Sequence, residues 1–355
     1  MKFLVIRFRQ IGDSILATCV FNTIKRNFPD SETYFVLNEN IAPIFQGHPS
    51  IDNIVTFSNE ERHSPLCYIT KIWKLMRSVH FDVIIDMRST PNTTPFALFS
   101  PFTKYRIGLE KKYTRFVYNY RISCCSKEES VVEHNLRFLA PLNKIKPIEP
   151  DNHFTLSVTD EEVGLFHSYM EKSGIDFNRS VILFGISAKL EFKRWRMDRM
   201  EWLLKQFMKY YPDTQISFNY VPGRECDDAH KIYDEMSEED RKRIFINIEA
   251  KGLRQLNAMS TCVDAFIGNE GGVRHVVHAM GKPSFVICAP GSNKTNWIPK
   301  NDVPAEAVAI TDVMSPNLIA TSSYEEQYAA ITKDFVWDRL KTFFFFFFCK
   351  RALDF

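Results

Sequence analysis

Lys2-Phe-Leu-Val-Ile-Arg7 is an unbroken apolar run, followed by a short loop, Phe8 to Gly12, and then by Asp13-Ser-Ile-Leu-Ala-Thr-Cys-Val-Phe-Asn-Thr-Ile-Lys-Arg26. A strand with no polar alternation is one covered on both faces, as in a parallel sheet. The stretch after it has helical spacing, with Ile15, Ala17, Val20, Phe21 and Ile24 apolar, and Pro29-Asp30 ends it. Strand, loop and helix repeat outward from this unit. Thr33–Leu37, Asp52–Phe57 and Asp82–Asp86 read as further strands, and Leu66 to Ser78 as a helix. Strands alternating with helices predict an α/β layer fold.

The pattern restarts after a proline-bearing stretch, Pro141 to Asn152, which reads as a linker. A helix is expected over Thr159 to Lys172. Strands are expected at Ser180–Phe184, Gln215–Tyr220, Ile244–Ile246, Ala265–Gly268 and Ser284–Cys288. Helices should fill Met197–Tyr211, Asp227–Met236, Gly252–Cys262 and Gly272–Met280, with a last one over Tyr324 to Lys341. The expected division is a Rossmann-like domain over 1–155, a second over 156–323, and a C-terminal helix with a Phe-rich tail over 324–355. Two such halves imply a ligand cleft between them, with functional residues just after the strands.

Composition narrows the classes. The chain has 355 residues, 45% hydrophobic and 25% charged, with a formal net charge of +2, a balance that does not call for nucleic acid as a partner. Its eight cysteines form no C-x-x-C pair, which removes support for zinc-ribbon and thioredoxin readings. Cys262 and Cys288 sit in apolar runs and read as small core residues. No signal peptide is visible and no stretch reaches the about 18 apolar residues of a membrane span. A cytoplasmic protein is the expectation. Phe343 to Phe348 is six phenylalanines in a row, open to reading as a buried tail, a membrane-surface anchor or the product of slippage in a T-rich codon tract.

The loops after the strands carry the candidate chemistry. The first lacks G-x-G-x-x-G, having only Gly12, so a dehydrogenase loses its main support. Gly291-Ser-Asn-Lys-Thr295 lacks the second glycine of a P-loop. Asp13 reads either as a helix cap, a role Ser14 also fits, or as a general base deprotonating a hydroxyl. Gly185-Ile-Ser-Ala-Lys-Leu-Glu-Phe-Lys-Arg-Trp195 joins small residues, Ser187 among them, to Lys189, Lys193, Arg194 and the following Arg196. It reads as a solvated basic loop or as a diphosphate clamp. Glu225, after Val221-Pro-Gly-Arg, is either a ribose ligand or a solvent-facing carboxylate. Gly268-Asn-Glu-Gly-Gly-Val-Arg-His275 opens a helix, where free N–H groups suit phosphate. His275 and His278 share a helix face, but no third metal ligand is evident, and no metal is expected.

Together these segments resemble glycosyltransferase family 9, the heptosyltransferase family. The opening through Gly12-Asp13 resembles the family's first strand, turn and helix. Phe81-Asp-Val-Ile-Ile-Asp-Met-Arg88 resembles its YDxxIDL segment, and Tyr105-Arg-Ile-Gly-Leu109 its R-x-G segment. Lys251 through Pro283 resembles the pattern GxxxLxxLxxxxxxxDxxIGNDSGxxHxAxAxGxP. The resemblance implies a GT-B fold, two Rossmann-like domains facing across a cleft, and inverting, metal-independent transfer of a heptose or related sugar from a nucleotide donor, ADP-linked in the family. It implies Asp13 as base and Lys193 as diphosphate contact. It further implies Glu225, Glu270, Gly271, Gly272 and His275 as nucleotide-sugar contacts, to which Ser187 is added as a small residue that permits close approach. No cofactor is implied. Two departures stand out. The family's D-[ST]-G is Glu270-Gly271-Gly272, and its K-x-W-P is Lys193-Arg-Trp-Arg196.

Between Pro101 and Cys125 lie six basic residues against one acid, Glu110, interleaved with aromatics. This reads as a solvated face, a nucleic-acid footprint or a surface for an anionic glycan or glycolipid acceptor. Arg88, Lys104, Arg106 and Lys111 are the acceptor candidates on that last reading. The expected partners are the donor, a lipopolysaccharide or other envelope-glycan acceptor, and the inner membrane through peripheral contact, with no nucleic acid. The rivals are a nucleotide-sugar-binding protein without turnover and a nucleic-acid-binding module built on 101–125.

Overall fold

The computed structural model describes the backbone of residues 1–353 and the side chains of 1–345. It contains two compact units, one of residues 1–159 with 299–301, the other of 160–298 with 302–355. The first holds six parallel strands: β1 (Lys2–Ile6), β2 (Glu32–Asn38), β3 (Asn53–Phe57), β4 (Val83–Asp86), β5 (Tyr105–Leu109) and β6 (Tyr120–Ile122). Their order is β3-β2-β1-β4-β5-β6. The second holds β7 (Val181–Gly185), β8 (Gln215–Phe218), β9 (Ile244–Phe245), β10 (Ala265–Asn269), β11 (Ser284–Ile287) and β12 (Ala305–Val308), in the order β12-β11-β10-β7-β8-β9. The strand order reverses between β1 and β4 in one sheet and between β7 and β10 in the other.

Phe3 to Ile6 are all fully buried, as an apolar strand covered on both faces must be. Leu4 and Ile6 point to one face, where they meet Tyr68, Ile72 and Met76 of a helix over Pro65–Ser78. The four-residue spacing of those three puts them on one stripe of the helix. Each large apolar side chain so buried stabilises the fold by about 1.5–3 kcal/mol.

The helix expected from Asp13 to Arg26 is two helices, α1 (Ile11–Leu16) and α2 (Thr18–Asn27), with Ala17 at the joint. Because α1 begins at Ile11, Asp13 lies inside its first turn, and no side chain caps it. The capping alternative for Asp13 and Ser14 is thereby removed. Residues 149–153 of the stretch read as a linker are strapped along α2: Asn27 donates to the Glu149 carbonyl, Thr23 to that of Asp151 and Asn22 to that of His153.

In the second unit, Gly185 and Gly268 pair across β7 and β10. A Cβ at Gly268, whose φ is +157°, would lie 2.7 Å from the Gly185 Cα. The two backbones therefore touch where only glycine allows it. The last expected helix is also two pieces, Tyr324–Ala330 and Lys333–Leu353. The start of the Phe run packs on the second unit. Phe344 is fully buried against Phe207 and Tyr211, and Phe343 meets Phe285. Phe345 is exposed, and the side chains of Phe346 to Phe348 lie outside the described residues. Among the described residues, no helix is long and apolar enough to cross a membrane.

Candidate functional site

The loops that follow β1 and β4 meet at the first unit's strand-order reversal. Arg7, buried at the end of β1, donates through Nη1 to the Met87 carbonyl at 3.0 Å and through Nη2 to Asp13 Oδ1 at 2.9 Å. Arg9 lies 3.5 Å from the same oxygen. Both cations thus sit on Oδ1, and Oδ2 carries no hydrogen bond among the described residues. Arg7 is held by this pairing, since burial alone pushes its pKa down.

A cavity of about 370 Å³ opens beside this pair. Arg9, Arg62 and Arg88 line it with Asn38, Asn40 and Asn59, and no carboxylate does. Arg62 is oriented by Asn38 Oδ1 at 2.6 Å and by the Phe8 ring 5.1 Å below it. Arg88 is fixed through its backbone. Its N–H donates to buried Asp86, whose pKa is raised by complete desolvation, and its carbonyl accepts from Lys111 Nζ at 2.9 Å. Ser89 beside it adopts φ +47°, a conformation an L residue holds only when its surroundings impose it. Asp86 accepts from its N–H, and Lys111 and Tyr113 donate to its carbonyl.

Of the four acceptor candidates, only Arg88 lines this cavity. The structure places the others differently. Lys111 holds the carbonyls of Arg88 and Ser89. The Arg106 guanidinium holds those of Pro101, Thr103 and Val117. Lys104 is exposed beside the Tyr105 ring. Arg9, Arg62 and the three asparagines were not singled out in the sequence; their signal is position, since Asn38 ends β2 and Arg62 lies shortly after β3.

In the second unit the loops after β7, β8 and β10 converge. Asn269, at the end of β10, accepts from the Trp195 N–H at 2.9 Å and donates to the Ile186 carbonyl at 2.8 Å, so it pins both ends of the basic loop. Trp195 is fully buried. Arg196 has φ −52°, within the range proline imposes. Lys193 reaches Glu270 as an ion pair of 2.5 Å. Two residues far apart in sequence are thus brought together.

Gly271 and Gly272 open a helix over Gly272–Ala279 that no side chain caps. A Cβ on Gly271 would meet nothing within 4 Å. Two residues into that helix, Arg274 is buried, with Nη2 on the Trp297 carbonyl at 2.6 Å and Nη1 unpartnered among the described residues. Burial lowers its pKa to about 10. A buried guanidinium with an idle N–H, on a helix whose first amides are uncapped, suits an anion. His275 is buried against Trp297 and its pKa is pushed far down, first by burial, so it is a neutral ring.

Ser187 donates to Asp228 at 2.6 Å, and Arg194 pairs with the same carboxylate at 2.8 Å. Asp228, unnoticed in the sequence, therefore organises the loop. Glu225 stands in the first turn of a helix over Arg224–Asp234, accepts from the Val221 N–H, and has its pKa raised by partial burial. Gly223, with φ +97°, makes the turn that starts this helix. One group among the described residues brings three metal-ligand atoms within 4.8 Å of one another: Cys125, Glu129 and His134. No motif marks it in the sequence. Arg7 acts electrostatically on Cys125 and His134, and Glu129 there pairs with Arg137 at 3.0 Å.

The profile of glycosyltransferase family 9 (heptosyltransferase) matches residues 69–309. Lipopolysaccharide heptosyltransferase 1 of Campylobacter coli is 22% identical over 294 residues, 81% of this chain and 83% of that protein. The solved structure of a glycosyl transferase family 9 protein from Veillonella parvula superposes with a TM-score of 0.81 at 16% identity, covering 96% of each chain. ADP-heptose lps heptosyltransferase II of E. coli gives 0.73 at 16% identity, covering 97% of this chain and 98% of that one. The fold shared with these structures is GT-B, an α/β fold of two Rossmann-like units.

Proposed function

Because the chain belongs to glycosyltransferase family 9, the heptosyltransferase family, we propose that it transfers a heptose or related sugar from an ADP-linked donor to an anionic acceptor of lipopolysaccharide or another envelope glycan. The chain is a glycosyltransferase; donor, acceptor, stereochemistry and metal independence are the proposal. The observation that carries it is the Asp13 carboxylate, anchored by cations on Oδ1 and open on Oδ2.

In the proposed reaction Asp13 Oδ2 takes the proton of the acceptor hydroxyl. The hydroxyl oxygen attacks the anomeric carbon on the face opposite the nucleotide, and the configuration inverts. The bond from that carbon to the diphosphate oxygen breaks, and its electron pair leaves with the nucleoside diphosphate. Lys193, Arg274 and the open amides at Gly271 and Gly272 meet the departing charge, the work a metal ion does elsewhere. Glu225 takes the ribose, Ser187 lies on the donor side, and His275 and Trp297 wall the site. Arg9, Arg62 and Arg88 take the carboxylates or phosphates of the acceptor, for which three guanidinium groups from three separate segments are suited. Such an acceptor is lipid-linked, which places the protein peripherally on the inner membrane face.

Incubation with ADP-heptose, other ADP-sugars, and GDP- and UDP-sugars, with a deacylated lipopolysaccharide core as acceptor, tests this. Transfer with inversion, best from an ADP-sugar, is the expected result. Retention of configuration, or donor binding with no turnover on any acceptor, overturns it.

A further inference from the structure

Phe102 and Phe116 are the most exposed aromatic side chains among the described residues, at 99% and 88% of full exposure. Phe102 lies in the turn before β5 and Phe116 in the loop before β6. The two segments are locked together. One guanidinium, that of Arg106, takes the carbonyls of Pro101 and Thr103 on one side and of Val117 on the other. Asn119 accepts from the Arg106 N–H at 2.7 Å and donates to the Lys104 carbonyl at 2.7 Å. Behind them, Ala97, Val117 and Tyr118 form a small buried cluster. Leu98, next to that cluster, is 54% exposed and Tyr113 is 49% exposed.

Two rings held out on braced loops keep apolar surface in water. Apart from Glu110, the charged residues of this stretch carry one sign. Lys104, Lys112, Arg115 and Arg121 are exposed, and Arg115 lies 5.9 Å from the Phe116 ring. The one acid of the stretch, Glu110, stands 3.9 Å from Arg121. Projecting rings set among cations match a bilayer surface: the rings enter the acyl boundary while lysine and arginine meet anionic headgroups. A nucleic-acid strand would need rings lying flat in a basic groove. The cavity lined by Arg9, Arg62 and Arg88 involves none of these residues.

We infer that this flank of the first unit, with Phe102 and Phe116 as wedges and Lys104, Lys112 and Arg115 around them, docks the protein on a bilayer of anionic phospholipid. The docking surface rests on the proposed lipid-linked acceptor for its use, although its measurement needs no sugar. Wild type should co-sediment with phosphatidylglycerol vesicles and much less with phosphatidylcholine vesicles, and salt should weaken the binding. The F102S/F116S double variant should lose about tenfold or more of its vesicle partition. Both rings are in solvent, so its circular dichroism and its transfer to a deacylated acceptor should match wild type. Lys112→Glu with Arg115→Glu should lose phosphatidylglycerol binding in the same way. Equal partition of wild type and F102S/F116S overturns the inference. So does binding that ignores headgroup charge, a loss that appears with Phe345→Ser instead, or affinity for a single-stranded oligonucleotide in place of vesicles. Vesicle binding that persists without any transfer overturns the proposed function and leaves the docking surface standing; transfer without vesicle binding does the reverse.

Discussion

The two units are built on one plan and charged on two. Each has six parallel strands whose order reverses once, and in each the loops at that reversal carry the candidate chemistry. In the first unit those loops present side chains: Arg7 and Arg9 on Asp13, and Arg88, which with Arg62 from the segment after β3 lines a cavity that has no acid. In the second they present backbone: glycines, an uncapped helix and a pinned loop, with Lys193, Glu270 and Arg274 added. Guanidinium groups on separate segments select a partner by where its anions lie. Backbone amides at a glycine turn accept a phosphate whatever is attached to it. On the proposed function, the same topology gives one half that discriminates and one half that retains.

The sharpest way to break this contrast is Asp13→Asn. Turnover should fall by about two orders of magnitude or more while donor affinity stays at the wild-type value. Wild-type turnover in the purified variant removes the base. Next comes Arg62→Gln with Arg88→Gln. Losing a charge-assisted bond worth about 1.5–3 kcal/mol at each position should raise the acceptor KM by about a hundredfold or more, with donor Kd unmoved. If the donor Kd moves instead, the two halves are not divided as stated.

A smaller effect belongs to the second unit. Glu270→Asp with Gly271→Ser restores the family's pattern, and the space beside Gly271 admits the serine. Competition among nucleotide sugars should show preference moving toward ADP-heptose by about tenfold, the scale of one hydrogen bond to a charged group. No change in preference makes the departure neutral. The smallest expected effect is none: if Lys193, Arg274 and the helix amides take the metal's role as proposed, transfer should survive exhaustive EDTA. Activity lost to EDTA and restored by magnesium or manganese assigns that role to a cation.

Much of the fold was legible where burial is two-sided. β1, β4, β7 and β11 are unbroken apolar runs, and the sequence marks them without help. β5, β6 and β12 escaped notice for a physical reason. Tyr105-Arg-Ile-Gly-Leu109 carries an arginine, β6 has three residues, and Ala305-Glu-Ala-Val308 is thinly apolar, as strands toward a sheet edge are. In the site, Asp13, Lys193 and Glu270 were legible because each follows a strand within a motif. Arg62, Asn38 and Asn59 were not, because only the sheet brings three separate loops to one cavity. For Arg106 and Lys111 the sequence hid a structural task. A cation in a basic stretch looks available, yet nothing in the sequence says that backbone carbonyls already hold it.

The burial of Phe344 bears on how the gene can change. Phenylalanine codons in tandem form a thymine-rich tract, prone to gain or lose repeats when copied. In most helices such an indel rotates every later side chain by about 100° and empties the core of its plug. Here an in-frame loss of one codon draws the next phenylalanine into the vacated place. Positions 343 and 344 stay phenylalanine while any two of the run remain, and only the residues beyond the run are displaced. The homopolymer insulates the core from its own variation in length.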